Sequence, residues 1–178
     1  MKRNILKRVN KVDYNVQLPF LKPKEKKPSS GLDICLKWAP LLSLFALDAF
    51  ENKSKDKFEK HLIDAAAGII ILNATVYPLK NIVKRVRPNS ESKSFPSRHT
   101  ATSFLGSEML RQELRDKHPA WSYSGYVVVA GTAVMRLYRN KHWFSDVLTG
   151  AVIGVLSAKL TPLLIDKVIY NTNIQPAV

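Results

Sequence analysis

The sequence predicts an all-α fold, a bundle of about five main helices behind a basic and irregular N-terminal tail. Long apolar segments alternate with short polar connections from residue 32 onward, which favours packed helices. The chain has 178 residues, enough for one domain with a core and too few for two. We therefore divide it into a tail at 1–31, a bundle at 32–170 and a short C-terminal tail at 171–178.

The N-terminal tail carries half of the surplus positive charge. Residues 1–30 hold nine Lys or Arg against two acids, which is +7 of the net +14 of the chain. Three prolines and the lack of an apolar period predict irregular structure, and no apolar run follows the first basic residues as it would in a secretory signal. The charge predicts an anionic partner: a nucleic acid, a membrane surface or a phosphorylated substrate. A solvated tail without a partner is the simpler alternative.

Five apolar segments are predicted to be helices, and two of them could cross a membrane. They cover residues 32–50, 62–79, 99–114, 124–137 and 147–165. An 18-residue helix is about 27 Å long, close to the roughly 30 Å of bilayer hydrocarbon, so 62–79 and 147–165 are the candidate spans. Charges such as Glu108 and Arg111 would be costly at mid-bilayer in the third segment. We favour integral insertion over peripheral attachment.

Basic residues at the end of the second segment form the first stretch suited to phosphate. Lys80 and Arg87 are seven residues apart, nearly two helical turns, and so share a helix face. Pro88 biases Arg87 away from helical geometry, which allows two long cations to converge on one anion. Basic residues that simply reach solvent are the alternative.

The second stretch lies just before the third segment and includes Ser97, Arg98 and His99. The free amides of a helix N-terminus, together with the Ser97 hydroxyl, make a phosphate cradle. His99 has an ordinary pKa near 6.5, which suits acid and base work at neutral pH. A capping or surface histidine is the alternative.

The third stretch precedes the fifth segment and holds Arg136, His142 and Asp146. His142 and Asp146 are spaced i, i+4, so the carboxylate can hold one imidazole nitrogen and leave the other as a nucleophile. A structural His–Asp pair is the alternative.

Together the three stretches resemble the tripartite signature of the type 2 phosphatidic acid phosphatase superfamily. That superfamily includes lipid phosphate phosphatases, soluble bacterial acid phosphatases and vanadium haloperoxidases. The matching patterns are Lys80-x6-Arg87-Pro88, Pro96-Ser97-x-His99 and Arg136-x5-His142-x3-Asp146.

The resemblance implies a metal-independent reaction that needs no cofactor. His142 would attack phosphorus and form a phosphohistidine, Asp146 would orient it, and His99 would protonate the leaving group and later activate water. The implied phosphate-binding residues are Lys80, Arg87, Ser97, Arg98 and Arg136. Members of the superfamily commonly have Gly at the position of Arg98 and Ser at that of Met135. Arg98 keeps its backbone N–H for phosphate, but its side chain could tighten phosphate binding or restrict large headgroups.

The expected function is hydrolysis of a phosphate monoester or pyrophosphate of a lipid in a bacterial envelope. Lipid A, undecaprenyl pyrophosphate and phosphatidylglycerophosphate are the candidate substrates, with an anionic membrane surface as a further partner. Three alternatives remain: a non-catalytic phospholipid binder in which Arg98 impairs turnover, a metal hydrolase that uses His99, His142 and Asp146, and a nucleic-acid-binding protein. The apolar helices and the few aromatic residues of the tail argue against nucleic acid.

The side of the membrane that the site faces is open to two readings. Two helices precede the first phosphate-binding stretch, so the basic tail and the site would share a side, and basic segments favour the cytoplasm. The resemblance implies instead a six-helix bundle whose site faces the periplasm. We expect the periplasmic orientation.

Overall fold

The computed structural model describes residues 10–21, 30–51 and 54–172, and every regular element in these ranges is helical. A short helix α1 continues into a 3-10 turn, and five long helices follow. The bounds are α1 Lys11–Gln17, the 3-10 turn Leu18–Phe20, α2 Ser30–Phe50, α3 Lys55–Val83, α4 Arg98–Leu114, α5 Ser124–Tyr138 and α6 Phe144–Thr172. The predicted all-α bundle of five main helices is confirmed.

Residues 11–20 correct the prediction of an irregular tail. The Asn10 side chain caps α1 by accepting a hydrogen bond from the Val12 backbone N–H at 3.2 Å, and Asp13 lies in the first turn, where an acid is favoured. Asp13 and Gln17 are buried one turn apart on the same face of α1. Because that buried face is polar, the segment shows no apolar period. Residues 1–9 and 22–29 lie outside the described residues.

Helix α4 is the centre of the bundle and packs against α2, α3, α5 and α6. Its apolar side chains, among them Leu105, join the core, but much of its buried surface is made of small hydroxyl residues. The Thr102 and Ser103 hydroxyls donate to carbonyl oxygens four residues earlier in the helix. Because these polar groups are satisfied within α4, neighbouring helices can approach it closely.

Two glycines bring α6 against the first half of α4. A Cβ on Gly150 would lie 2.5 Å from the Ser97 carbonyl oxygen. A Cβ on Gly154 would collide with the Ala101 carbonyl oxygen and lie 2.9 Å from the Leu105 nitrogen. Because these two positions have no side chain, the first turns of α4 can pack directly against the backbone of α6.

Helices α3 and α6 are long and apolar enough to cross a membrane, and they contain the two predicted spans. The core helix of a soluble protein would bury most of its apolar surface, but only 22% and 28% of these two windows are buried. Four apolar residues of α6 at four-residue spacing form an exposed stripe, and 44 to 55% of the surface of each is accessible: Leu148, Val152, Leu156 and Leu160. An exposed apolar face of this length favours contact with lipid.

Candidate active site

The three stretches predicted to bind phosphate meet at one end of the bundle. Helices α3 and α5 end there, and α4 and α6 begin there, because successive long helices run in opposite directions. The stretches surround a cleft of about 420 Å³. Six of the eight predicted site residues contribute a cation or an imidazole to its wall: Lys80, Arg87, Arg98, His99, Arg136 and His142.

Positive charge dominates this cleft. Six cationic side chains and one carboxylate line it: Lys80, Arg87, Arg98, Arg136, Arg139, Lys141 and Asp33. A concave surface lined mainly by one sign of charge attracts ions of the other sign. The cleft is therefore suited to a phosphate group.

His142 is held in one tautomer by a backbone carbonyl. Its Nδ1 lies 2.8 Å from the carbonyl oxygen of Ser94, and a carbonyl oxygen can only accept a hydrogen bond. Nδ1 therefore carries the proton, and Nε2 keeps a free lone pair. The side chain is almost fully buried, and burial lowers the pKa of His142 to about 4. At neutral pH the imidazole is uncharged, as a nucleophile requires.

Asp146 acts on His142 through Ser94. We expected Asp146 to hold the imidazole directly, but its Oδ2 lies 3.8 Å from the His142 Nδ1. Asp146 instead accepts hydrogen bonds from the Ser94 hydroxyl, from the Trp143 backbone N–H at 2.9 Å and from Arg85 Nη1 at 2.8 Å. Because the same Ser94 offers its carbonyl to His142, the carboxylate orients the imidazole by fixing Ser94.

His99 lines the cleft with His142 from the first turn of α4. Burial, with the nearby charges of Arg136 and Lys37, lowers the pKa of His99 to about 3. The imidazole is thus uncharged at neutral pH. A bound phosphate would place negative charge beside it and raise that pKa, so the anion itself favours the protonated form of His99.

Ser97 lies behind the cleft wall. Its side chain is fully buried and caps α4, with its Oγ 2.9 Å from the Thr100 Oγ1. The Ser97 backbone N–H donates to the Asp146 carbonyl at 2.9 Å, which ties the start of α4 to the start of α6. Ser97 therefore holds the helix N-terminus in position, and its hydroxyl is engaged by the cap.

Two arginines of the third stretch share one carboxylate. Arg136 and Arg139 each donate through Nη1 to Oδ2 of Asp33, at 2.6 Å in both cases. Lys80 donates to the neutral carbonyl of Lys93 at 2.9 Å, so its charge remains available to an anion. Asp33 fixes the direction of Arg136 while leaving the cleft strongly positive.

Arg98 stands at the cleft wall without filling the cleft. Its guanidinium lies 5.2 Å from the centre of the Tyr77 ring, a cation–π contact, and the residue is exposed. The side chain that distinguishes this position from the Gly common in the resembled superfamily is thus directed along the rim.

Three residues of this arrangement were missed from the sequence: Asp33, Ser94 and Arg85. Asp33 did give a signal, since a charge inside an apolar helix often marks a functional group. Ser94 acts partly through its backbone carbonyl, which no side-chain pattern reveals. Arg85 lies between Lys80 and Arg87 in a run of basic residues, and nothing in the run distinguishes it.

The geometry gives no support to the metal-hydrolase alternative. Within residues 10–21, 30–51 and 54–172, no three His, Cys, Asp or Glu side chains come together as metal ligands would. Both oxygens of Asp146 accept hydrogen bonds, one of them from a guanidinium. Six cations and a single carboxylate, Asp33, line the cleft beside the two histidines.

We expect the His142 imidazole to stay neutral down to about pH 4 in the folded protein, whereas imidazoles of the unfolded chain titrate near 6.5. Since the folded form resists protonation, His142 contributes stability that is complete above pH 6.5 and is lost as the pH falls toward 4. NMR of ¹³C-labelled histidine, assigned with the His142→Ala variant, measures the titration. A folded-state midpoint near 6.5 would contradict the buried, carbonyl-bound geometry.

The fold and the cleft define a helical protein that can hold an anion beside a neutral histidine. Residues 89–170 match the family model of the PAP2 superfamily. A lipid A 1-phosphatase of Porphyromonas gingivalis is 34% identical over 123 residues, 68% of this chain. The predicted resemblance is confirmed: over these residues the chain is similar to the PAP2 superfamily.

The matched relative is much longer than this chain, which spans 28% of its length. A solved structure shows the same fold over nearly the whole chain. The crystal structure of Aquifex aeolicus LpxE matches with a TM-score of 0.57 at 17% sequence identity, covering 90% of this chain and 91% of that one.

Proposed function

We propose that this protein is a metal-independent phosphatase that hydrolyses a phosphate monoester or pyrophosphate of a lipid through a phosphohistidine at His142. One observation supports this proposal most strongly. A buried, neutral histidine with its proton on Nδ1 lines the same cleft as a second histidine and six cations. A nucleophile, a proton donor and charge stabilisation thus lie together.

The chemistry follows from these positions. The Nε2 lone pair of His142 forms a bond to phosphorus while the bond from phosphorus to the lipid oxygen breaks. His99, whose protonated form the bound anion favours, gives its proton to that oxygen. A water molecule then attacks the phosphohistidine, passes a proton to His99 and restores His142. Arg136 and the other cleft cations stabilise the charge that spreads over the phosphoryl oxygens.

A lipid substrate is supported by the exposed apolar faces of α3 and α6, which favour a membrane protein with its cleft at one end of the spans. The relative is a lipid A 1-phosphatase, and this favours a lipid A type of phosphate over undecaprenyl pyrophosphate and phosphatidylglycerophosphate. The basic N-terminal tail would add attraction to anionic headgroups, about 1 kcal/mol per basic residue near the surface.

Phosphate release from a panel of the three lipid phosphates tests the proposal. We expect turnover that persists in EDTA and is inhibited by vanadate, which mimics five-coordinate phosphorus. Loss of activity in EDTA would favour a metal hydrolase. Binding of inorganic phosphate without release from any of the lipids would favour the non-catalytic binder.

We further propose that the cleft faces the periplasm, and Cys35 provides the test. It is the only cysteine of the sequence, is exposed, and follows the cleft residues Asp33 and Ile34 on α2. A membrane-impermeant maleimide should label it in cells whose outer membrane alone has been permeabilised, and Cys35→Ser should abolish the label. Labelling only after the inner membrane is broken would place the cleft in the cytoplasm.

A further inference from the structure

Helix α1 lies against the connection that carries His142. This connection, defined here as residues 139–145, consists of the turn that joins α5 to α6 and the first two residues of α6, and α1 contacts α6. The two residues of α1 that face it are polar and almost completely buried, with exposures of 2% for Asp13 and 0% for Gln17. Burying polar groups is costly unless they are hydrogen-bonded, so their partners define what α1 does.

Asp13 binds the C-terminal end of the connection. Its Oδ1 accepts from the Ser145 backbone N–H at 2.7 Å, and its Oδ2 accepts from the Ser145 hydroxyl at 2.7 Å and from Arg85 Nη2 at 2.6 Å. Arg85 uses its other terminal nitrogen, Nη1, on Asp146 at 2.8 Å. A chain of charged hydrogen bonds therefore runs from Asp13 through Arg85 to the carboxylate that fixes Ser94.

Gln17 binds the opposite end of the connection. Its Nε2 donates to the Leu137 carbonyl at 2.8 Å and to the Asn140 Oδ1 at 2.7 Å. Asn140 in turn donates through Nδ2 to the Phe20 carbonyl at 2.8 Å. Asn140 has φ 56°, a left-handed conformation that asparagine adopts more readily than most residues. The turn two residues before His142 is thus held by α1.

We propose that α1 is a brace for the nucleophile, with Asp13 and Gln17 as positioning residues that hold both ends of the His142 connection. The inference rests on the phosphatase function proposed above. Neither side chain lines the cleft, so neither is expected to contact the phosphate. Loss of the brace should therefore change the position of His142 relative to phosphorus and leave the cationic residues of the cleft in place.

Asp13→Asn tests the brace because the amide keeps the shape of the carboxylate but replaces one acceptor with an NH₂ group that faces donors. We expect kcat to fall by about ten- to a hundredfold, since a small misplacement of a reacting group has effects of that size, while KM changes by less than about twofold. Amide hydrogen exchange should become faster across residues 139–146.

Two controls separate the brace from a general effect of mutation. Asp56→Asn makes the same chemical change in the exposed first turn of α3, at the other end of the bundle, and Asn15→Ala alters an exposed residue of α1. Both should keep wild-type kcat and wild-type exchange. Should Asp13→Asn fail to fold, Gln17→Ala carries the same test at the other end of the connection.

The outcomes distinguish this inference from the proposed function. Wild-type kcat in the folded Asp13→Asn and Gln17→Ala variants, or unchanged exchange at 139–146 in both, would overturn the brace. An equal loss of phosphate affinity and kcat would also overturn the brace. Such a result would mean that the substitution disturbs the cationic residues of the cleft. Absence of phosphatase activity in the wild-type protein would overturn the proposed function. The brace would then be tested by hydrogen exchange at residues 139–146 alone.

Discussion

Replacing His142 with alanine is expected to lower kcat by about three orders of magnitude or more, with the fold intact. In the proposed mechanism the imidazole of His142 supplies the lone pair that forms the bond to phosphorus, so alanine removes the nucleophile. KM should change little, because the cleft cations that we propose as ligands of the phosphoryl oxygens remain. Single-turnover and steady-state kinetics on one lipid phosphate, in the presence of EDTA, measure both quantities.

His118→Ala is the matched control for that variant. His118 is exposed in the turn after α4, at the far end of the bundle from the cleft, so its loss should leave kcat unchanged. Retention of more than about a tenth of wild-type kcat in a folded His142→Ala protein would remove His142 from the role of nucleophile.

Substituting Gly154 with alanine is expected to lower the free energy of unfolding by about 3 kcal/mol, at the upper end of the usual cost of overpacking. The added methyl group would collide with the Ala101 carbonyl and lie 2.9 Å from the Leu105 nitrogen, and both contacts are with backbone. Both atoms belong to the backbone of α4 and cannot move unless the whole helix moves, so α4 and α6 must separate. Thermal or denaturant unfolding in detergent measures the loss.

Gly131→Ala is the matched control for this packing prediction. It is the same change in a helix, but a Cβ on Gly131 would meet nothing within 4 Å. Alanine there should stabilise the protein by about 0.5 to 1 kcal/mol, through its higher helix propensity. Equal stabilities of the two variants would show that α4 and α6 are not packed as closely as the structure describes.

The parts of the site that sequence spacing predicts are those in which side chains act through their own functional groups. Lys80 and Arg87 do line one cleft, and the i, i+4 spacing does bring Asp146 close to His142. The hydrogen bond of the imidazole, however, goes to the carbonyl of Ser94, 48 residues away in sequence. A backbone acceptor has no residue type, so no pattern of side chains could predict it.

Helix α1 shows a different limit. Sequence periodicity finds helices by the apolar residues that they bury, but α1 buries a carboxylate and an amide. Their partners are Ser145, Arg85, Leu137 and Asn140, all more than 70 residues further along the chain. Only the tertiary arrangement makes this buried polar face stable, so the local pattern was that of an irregular tail.

The proposed mechanism requires a bond between the Nε2 of His142 and phosphorus. Rapid acid-free quenching during turnover of a lipid labelled in its phosphate, followed by peptide mapping, detects this bond. We expect an acid-labile, base-stable phosphoryl group on the peptide that contains His142, absent from the His142→Ala protein. Turnover with no label on that peptide, or with label on another residue, would contradict it.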